Sequence, residues 1–282
     1  MATVGFLGTG LLGSGMVERM LRRGDSVAVW NRTASKARAL EPLGATVAAT
    51  PGDAVAAAEH VHITVPDDAV VDELLEKVRP HLRKDAVVID HSTTSPAGAK
   101  RRVPRLNAAG VQFLHAPVFM SPQMAREGIG HVLVSGPRPV FEKVRSDLER
   151  MTGEVWYIGE EPDRAAAYKI FGNSMLFVIA AGVADVFAMA KGLGIPLADA
   201  LVVFSKFQPA GMIKSRGEKM ARGDFSAAFE LVMARKDMRL MLEAAGSQPT
   251  VVLPAIARRM DDAIAKGHGH DDLGAIAAEV VR

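Results

Sequence analysis

Cysteine is absent from the 282-residue chain. That excludes a disulfide framework, thiolate zinc sites, iron–sulfur clusters and cysteine nucleophiles. Aromatic residues are scarce, at 5%, while glycine is plentiful, at 26 residues. This balance suits an Ala/Gly/Val-rich α/β protein better than an all-β sandwich. Charge of one sign is also missing. The net charge is +2, and the densest basic run is Lys100-Arg101-Arg102, which reads as a solvated helix face, so no nucleic-acid partner is expected. Hydrophobic residues make up 49% of the chain, too many for a disordered protein. The first eight residues carry no basic cluster, and glycines break their apolar run, so they do not read as a secretory signal. One stretch, residues 170–190, is nearly long enough to span a bilayer. It holds Asn173 and Asp185, which are expensive in lipid, and so reads as a buried core helix. No membrane partner is expected, and the expected location is the cytoplasm or an equivalent reducing space.

At about 150 residues per domain, the length suits two domains. Short apolar strands are expected at 2–8, 26–30, around Val47, at 60–65, 85–90, 111–115, 132–135 and 155–158. Helical spacing fills 11–23, 35–43, 69–82, 97–109 and 139–151. Strands alternating with helices of this length imply βαβ units. The expected fold class is α/β, a Rossmann-type doubly wound parallel sheet. From Pro162 onward every segment has helical character. The domains expected are therefore residues 1–161, binding a dinucleotide, and residues 162–282, all-α, joined by a long helix that starts near Pro162.

Gly8-Thr9-Gly10-Leu11-Leu12-Gly13 is a GxGxxG motif between a strand and a helix, the context it requires. Gly8 permits the tight turn, Gly10 lets the backbone approach a pyrophosphate, and Gly13 allows helix–strand contact. The helix N-terminus then faces the phosphates. The second strand ends in Trp30-Asn31-Arg32-Thr33, with Lys36 one turn on. An enzyme using NAD usually has a carboxylate at this point. Asn31 removes that charge, and Arg32, Thr33 and Lys36 supply donors for a 2′-phosphate. The expected cofactor is NADP.

Lys169 and Asn173 stand at i and i+4 on one helix face. A hydride delivered to a carbonyl leaves an alkoxide that needs a proton, and a partly desolvated Lys is a suitable donor. From the residues alone, a Lys that merely snorkels at a domain edge is an equal reading.

The chain resembles the β-hydroxyacid dehydrogenase family, which includes 3-hydroxyisobutyrate dehydrogenase and the glyoxylate/succinic semialdehyde reductases. The resemblance runs essentially the full length. It rests on residues 5–13, on Trp30-Asn31-Arg32-Thr33, on Ile89-Asp90-His91-Ser92-Thr93, on the Lys169-x-x-x-Asn173 spacing, and on Lys236-Asp237-Met238-Arg239-Leu240. It implies Lys169 as general acid/base with Asn173 beside it, and Thr93 in contact with cofactor and substrate. Ser92 joins the substrate residues. Val65 and Pro66 would line the nicotinamide side, Lys236 would reach the cofactor, and Phe229 would stand in the substrate pocket. A C-terminal domain like that of 6-phosphogluconate dehydrogenase and a homodimer or homotetramer are also implied.

Two departures stand out. The family's substrate loop usually reads Asp-x-Pro-Val-Ser-Gly-Gly, whereas here it reads His115-Ala-Pro-Val-Phe119-Met120-Ser121. Phe119 and Met120 replace groups that hold a substrate carboxylate, and Ser121 is the surviving small polar residue. The pocket is therefore expected to be more apolar. The segment Glu160-Glu-Pro-Asp-Arg164 replaces the usual glycines before the catalytic Lys. His268-Gly-His270-Asp271-Asp272 reads as a surface loop, with no metal expected. His115 either touches ligand or is a structural strand-end residue. The function expected is hydride transfer between NADP(H) and a small carbonyl or β-hydroxyacid substrate. Alternatives are an imine or apolar-aldehyde reductase, or a cofactor-binding protein without turnover.

Overall fold

The computed structural model describes residues 2–281. The chain forms two compact units, one ending at Asn173 and the other beginning at Ser174. The division falls inside a helix, later than the boundary expected at residue 161. The first turn of that helix explains the shift. Ala165 and Ala166 are fully buried, the Ala165 N–H donates to Ser135 Oγ, and the Ser135 hydroxyl donates to the Pro162 carbonyl.

In the first unit, β1 (Thr3–Leu7), α1 (Leu11–Arg22), β2 (Ser26–Trp30), α2 (Ala34–Arg38) and β3 (Thr46–Val47) form one half of a sheet. The chain continues through α3 (Pro51–Val55), β4 (His60–Ile63), α4 (Asp68–Val78), β5 (Val87–Asp90), α5 (Pro96–Ala108) and β6 (Gln112–His115). Next come β7 (Val118–Phe119), α6 (Pro122–Glu127), β8 (His131–Ser135), α7 (Arg138–Thr152) and β9 (Glu154–Gly159). The long helix α8 (Arg164–Gly192) follows. Proline explains where two expected helices stop early. Pro42 and Pro80 each sit in a short 3-10 turn just after α2 and α4.

Strand order is β3-β2-β1-β4-β5-β6-β8-β7, with β9 on β8. The pairs from β3 to β6 are parallel, as is β8–β9, but β8 runs antiparallel to both β6 and β7. The sheet is thus mixed at this end rather than wholly parallel. Connections reverse direction between β1 and β4, which opens a crevice at the carboxyl ends of those strands.

Each face of the sheet buries its own core. Val4, Phe6, Val29, Ile89 and Leu114 pack with α1 and α7 through Met16, Val17, Phe141 and Leu148. Leu7, Val61, Ile63, Val88 and Phe113 pack with α3, α4 and α5 through Val55, Leu74, Leu75 and Leu106. Adjacent residues alternate between the two cores, as the pleat requires. Each such side chain contributes roughly 1.5–3 kcal/mol. Arg102, expected on a solvated face, is instead buried. Its guanidinium lies 2.7 Å from both Asp68 and Asp72 and ties α5 to α4. A charge this deep persists only when paired.

The second unit contains the rest of α8, then α9 (Leu197–Ala200), α10 (Gly211–Ala221), α11 (Leu231–Ala245) and α12 (Leu253–Ala263). Its core gathers Leu231, Met238, Leu253, Ala257 and Met260. Asp185, fully buried on α8, accepts the backbone N–H groups of Val251, Val252 and Leu253, and so caps the start of α12 from another element. Burial pushes its carboxyl up, but the three N–H donors outweigh this and hold it below the usual range. Asp272 organises the far end in a similar way. It takes the Ala228, Phe229 and Gly274 N–H groups and pairs with Arg216.

The reading of α8 as a buried core helix is not met. Only 6% of its most apolar 18-residue window is buried, although by length and composition the helix could cross a membrane. Leu176, Phe177, Val178 and Ile179 are all more than half exposed. Such a helix buries its side chains only against something outside its own unit's core.

Candidate active site

The crevice between β1 and β4 forms a cleft of about 570 Å³. Four strand ends build it. After β1 come Gly8, Gly10, Leu11, Leu12 and Gly13; after β2, Asn31, Arg32, Thr33 and Lys36; after β4, Thr64, Val65 and Pro66; after β5, His91, Ser92 and Thr93. Every residue that the sequence assigns to the cofactor within this unit lines the cleft, except Thr9. Thr9 is buried, and its backbone N–H donates to Asn31 Oδ1 at 3.0 Å.

The glycines are explained atom by atom. Gly8 has φ +97°, and a Cβ there would stand 2.1 Å from the Thr64 carbonyl. A Cβ on Gly13 would meet the Gly8 carbonyl at 2.1 Å, which lets α1 start hard against the strand. A Cβ on Gly10 would meet nothing within 4 Å. Open space at Gly10, the N-cap of α1, is the cradle that a phosphate group would fill. The residues present therefore fit a dinucleotide.

Asn31 does more than remove a charge. Its amide oxygen holds the Thr9 N–H and its amide nitrogen donates to the Thr33 carbonyl, so it stitches the glycine loop to the end of β2. Arg32, Thr33 and Lys36 remain exposed at the cleft. The sequence reading missed Glu73 and Lys77 of α4, which also line it and pair at 2.6 Å. Their i, i+4 spacing was the available signal. The Lys77 hydrogen bond, with a smaller contribution from Arg32, lowers the Glu73 carboxyl.

The wall after β4 and β5 is locked from behind. The Val65 N–H donates to Ser92 Oγ at 3.0 Å, and the Ser92 N–H to Asp90 Oδ1 at 2.9 Å. His91 Nδ1 lies 2.8 Å from the Ala116 carbonyl, so it carries the proton. Its Nε2 is then the acceptor for His62 Nδ1, 2.9 Å away. The Phe6, His62 and His91 rings stack in sequence. Burial, with the neighbouring His91, pushes His62 well below its usual value, and burial lowers His91 to about 4. Both imidazoles are therefore neutral near pH 7. Together they join the β5 loop to the loop that carries Phe119. His115 is wholly buried, with its Nδ1 3.5 Å from Asp90.

Lys169 Nζ donates to Asn173 Oδ1 at 3.0 Å. Its ammonium also lies 4.2 Å from the centre of the Phe119 ring. Burial lowers the lysine below its ordinary value. The helix and the substrate loop thus bring Lys169, Asn173 and Phe119 together. Met120 is half-buried against the core beside α1. Ser121 is placed otherwise than expected: its Oγ accepts the Met124 N–H at 3.2 Å and caps α6. The Ser-Pro pair at a helix start carried that signal. Phe229 and Lys236 belong to the second unit, where the Phe229 N–H is held by Asp272 and Lys236 Nζ lies 2.7 Å from Asp237. Among the described residues, no group of His, Asp or Glu is arranged to hold a metal ion.

The family model for the NAD binding domain of 6-phosphogluconate dehydrogenase matches residues 3–159. The chain is 29% identical to glyoxylate/succinic semialdehyde reductase 2, chloroplastic, of Arabidopsis thaliana, over 96% of this chain and 76% of that protein. It is 28% identical to the cytokine-like nuclear factor N-PAC of Anopheles gambiae, over 96% of this chain and 49% of that one. It therefore spans about half the length of its N-PAC relatives. An imine reductase from Streptomyces aurantiacus superimposes with a TM-score of 0.90 at 25% identity, over 99% of this chain and all of that one. The glycine-rich crevice at the β1/β4 reversal and the match through β9 agree: the chain belongs to the family of the NAD binding domain of 6-phosphogluconate dehydrogenase.

Proposed function

We propose that this protein reduces a small carbonyl compound at the expense of NADPH, with Lys169 as the proton donor. NADPH, when bound, supplies the hydride. Gly8, Gly10 and the N-terminus of α1 hold its phosphates. Arg32, Thr33 and Lys36, with no carboxylate at position 31, favour the 2′-phosphate over a free hydroxyl. Val65, Ser92 and Thr93 shape the end of the cleft below β4 and β5.

The observation that carries the reading is the Lys169–Asn173 pair. Asn173 accepts one ammonium proton and fixes the lysine's direction. Partial burial makes Lys169 a stronger acid than a lysine in water. A positioned acid of this kind protonates the oxygen as negative charge develops on it. In the oxidative direction, neutral Lys169 takes the hydroxyl proton of the alcohol. The semialdehyde and glyoxylate reductase relative supports an aldehyde acceptor.

A second reading is reduction of an imine, favoured by the apolar Phe119 and Met120 in the substrate loop. Oxidation of NADPH should be followed with semialdehydes, glyoxylate, simple aldehydes and cyclic imines, for wild type and Lys169→Ala side by side. We expect turnover of an aldehyde and a loss of roughly 10²–10⁴-fold on substitution. Aldehyde turnover that survives Lys169→Ala removes the lysine from the chemistry. Turnover of imines alone selects the second reading, and none at all marks a cofactor-binding protein.

The helical unit is further proposed to assemble with a second copy of the chain. Leu176, Phe177, Val178 and Ile179 on α8 are exposed, as are Val202, Phe207 and Ile213 of the same unit. A bilayer is a poorer cover, because α8 carries Lys169 and Asp185 along its length.

A further inference from the structure

Phe119 meets α8 at two residues. Its ring lies over the Lys169 ammonium and presses on α8 at Gly172. A Cβ at position 172 would stand 2.3 Å from Phe119 Cζ and 2.7 Å from Cε1. Gly172 therefore leaves the gap into which the ring fits. The Lys169 ammonium is bounded on one side by the Asn173 amide oxygen and on another by an aromatic face. An ammonium is attracted to both, and neither carries a charge.

We propose that Phe119, seated on Gly172, is the residue that selects uncharged carbonyl substrates over carboxylate-bearing ones. A substrate carboxylate needs a cation or several free donors. Within this unit, the loop that would offer them has Phe119 and Met120, and its one hydroxyl group, Ser121, accepts the Met124 N–H as a helix cap. A carboxylate entering beside Phe119 has Lys169 as its cation. Pairing there would displace the ring and occupy the proton that the reacting oxygen requires. An uncharged acceptor leaves the ring in place and meets Lys169 through its carbonyl oxygen alone. The inference rests on Lys169 being the proton donor.

The test compares succinic semialdehyde with its uncharged amide, 4-oxobutanamide, at saturating NADPH. Phe119→Ser is expected to raise the acid-to-amide ratio of kcat/KM by at least tenfold, mainly through a lower KM for the acid. Gly172→Ala is expected to lower kcat/KM for the amide in wild type by pushing the ring away, and to do little more once Phe119 is Ser. Calorimetric binding of butyrate and butanamide to the NADP-loaded protein gives a readout without turnover. There, Phe119→Ser should gain affinity for butyrate only. If Phe119→Ser does not fold, Phe119→Leu carries the same measurements, because it keeps apolar bulk but has no ring face. An unchanged acid-to-amide ratio overturns the proposal, as does an equal Gly172→Ala effect in both backgrounds. Reduction of both probes by Lys169→Ala at the wild-type rate fails the proton-donor reading instead, and the butyrate measurement still reports on Phe119.

Discussion

The two units of this chain solve the same packing problem differently. The nucleotide-binding unit covers both faces of its sheet with its own helices, and its buried charges find partners within a few ångströms. The helical unit has a smaller core and leaves the apolar side chains of α8 exposed. Its buried carboxylates serve as fasteners: Asp185 holds the start of α12, and Asp272 holds the chain before α11. A sheet with helices on both faces can be complete within one chain. A unit built on one long apolar helix requires cover from outside its own core.

That contrast can be broken most sharply at Phe177, which is 72% exposed. If a second copy covers this face, Phe177→Asp buries an unpaired charge, costs about 3–5 kcal/mol of association, and leaves monomers in a sedimentation experiment. An unchanged sedimentation profile would mean that α8 needs no cover. Next in size is Asp185→Ala, which strips the partner from three backbone N–H groups. Thermal unfolding should show a loss of about 2–4 kcal/mol, with faster hydrogen exchange confined to α12.

The nucleotide-binding unit should instead be the acid-sensitive one. His62 and His91 are held neutral, below the unfolded value of about 6.5. Between pH 6.5 and about 4 the unfolded chain binds protons that the folded chain refuses. Stability is therefore retained above pH 6.5 and lost as the pH falls, by an amount on the order of 2 kcal/mol. Both tryptophans, Trp30 and Trp156, lie in this unit, so their fluorescence follows its unfolding. His62→Phe, which keeps the stack on Phe6, should flatten the slope in this window. A slope as steep as wild type would exonerate the pair. The smallest effect is at Arg32. Exchange to Ala should reduce the preference for NADPH over NADH by roughly tenfold, measured as the ratio of KM values. An unchanged ratio would remove Arg32 from phosphate recognition.

Much of the nucleotide-binding unit was legible because its signals are local. Gly8 and Gly13 announce a turn whose geometry only glycine allows, and the apolar run of β5 is that of a strand buried on both faces. What escaped was set by distant partners. The two-residue β7 is fixed by its pairing with β8, a partner that Val118-Phe119 alone does not reveal. Arg102 lies in a basic triplet, and nothing in that triplet tells of Asp68 and Asp72 some thirty residues back. The capping box of Thr50 and Asp53 at α3 was readable and was passed over. Of the candidate site, Lys169 and Asn173 were legible through spacing and resemblance. The fit of Phe119 to Gly172 was not, because it joins a loop to a helix more than fifty positions away. The burial of α8 was misjudged because composition reports hydrophobicity and not what covers it.

The Phe119–Gly172 contact also orders the history open to this protein. A lineage that moves from this loop to one with a small residue at position 119 is free to enlarge position 172 afterwards. In the reverse order a side chain at 172 meets the ring while it is still there and must push it aside. The two positions are therefore coupled: a change in the loop lowers the cost of a change in the helix.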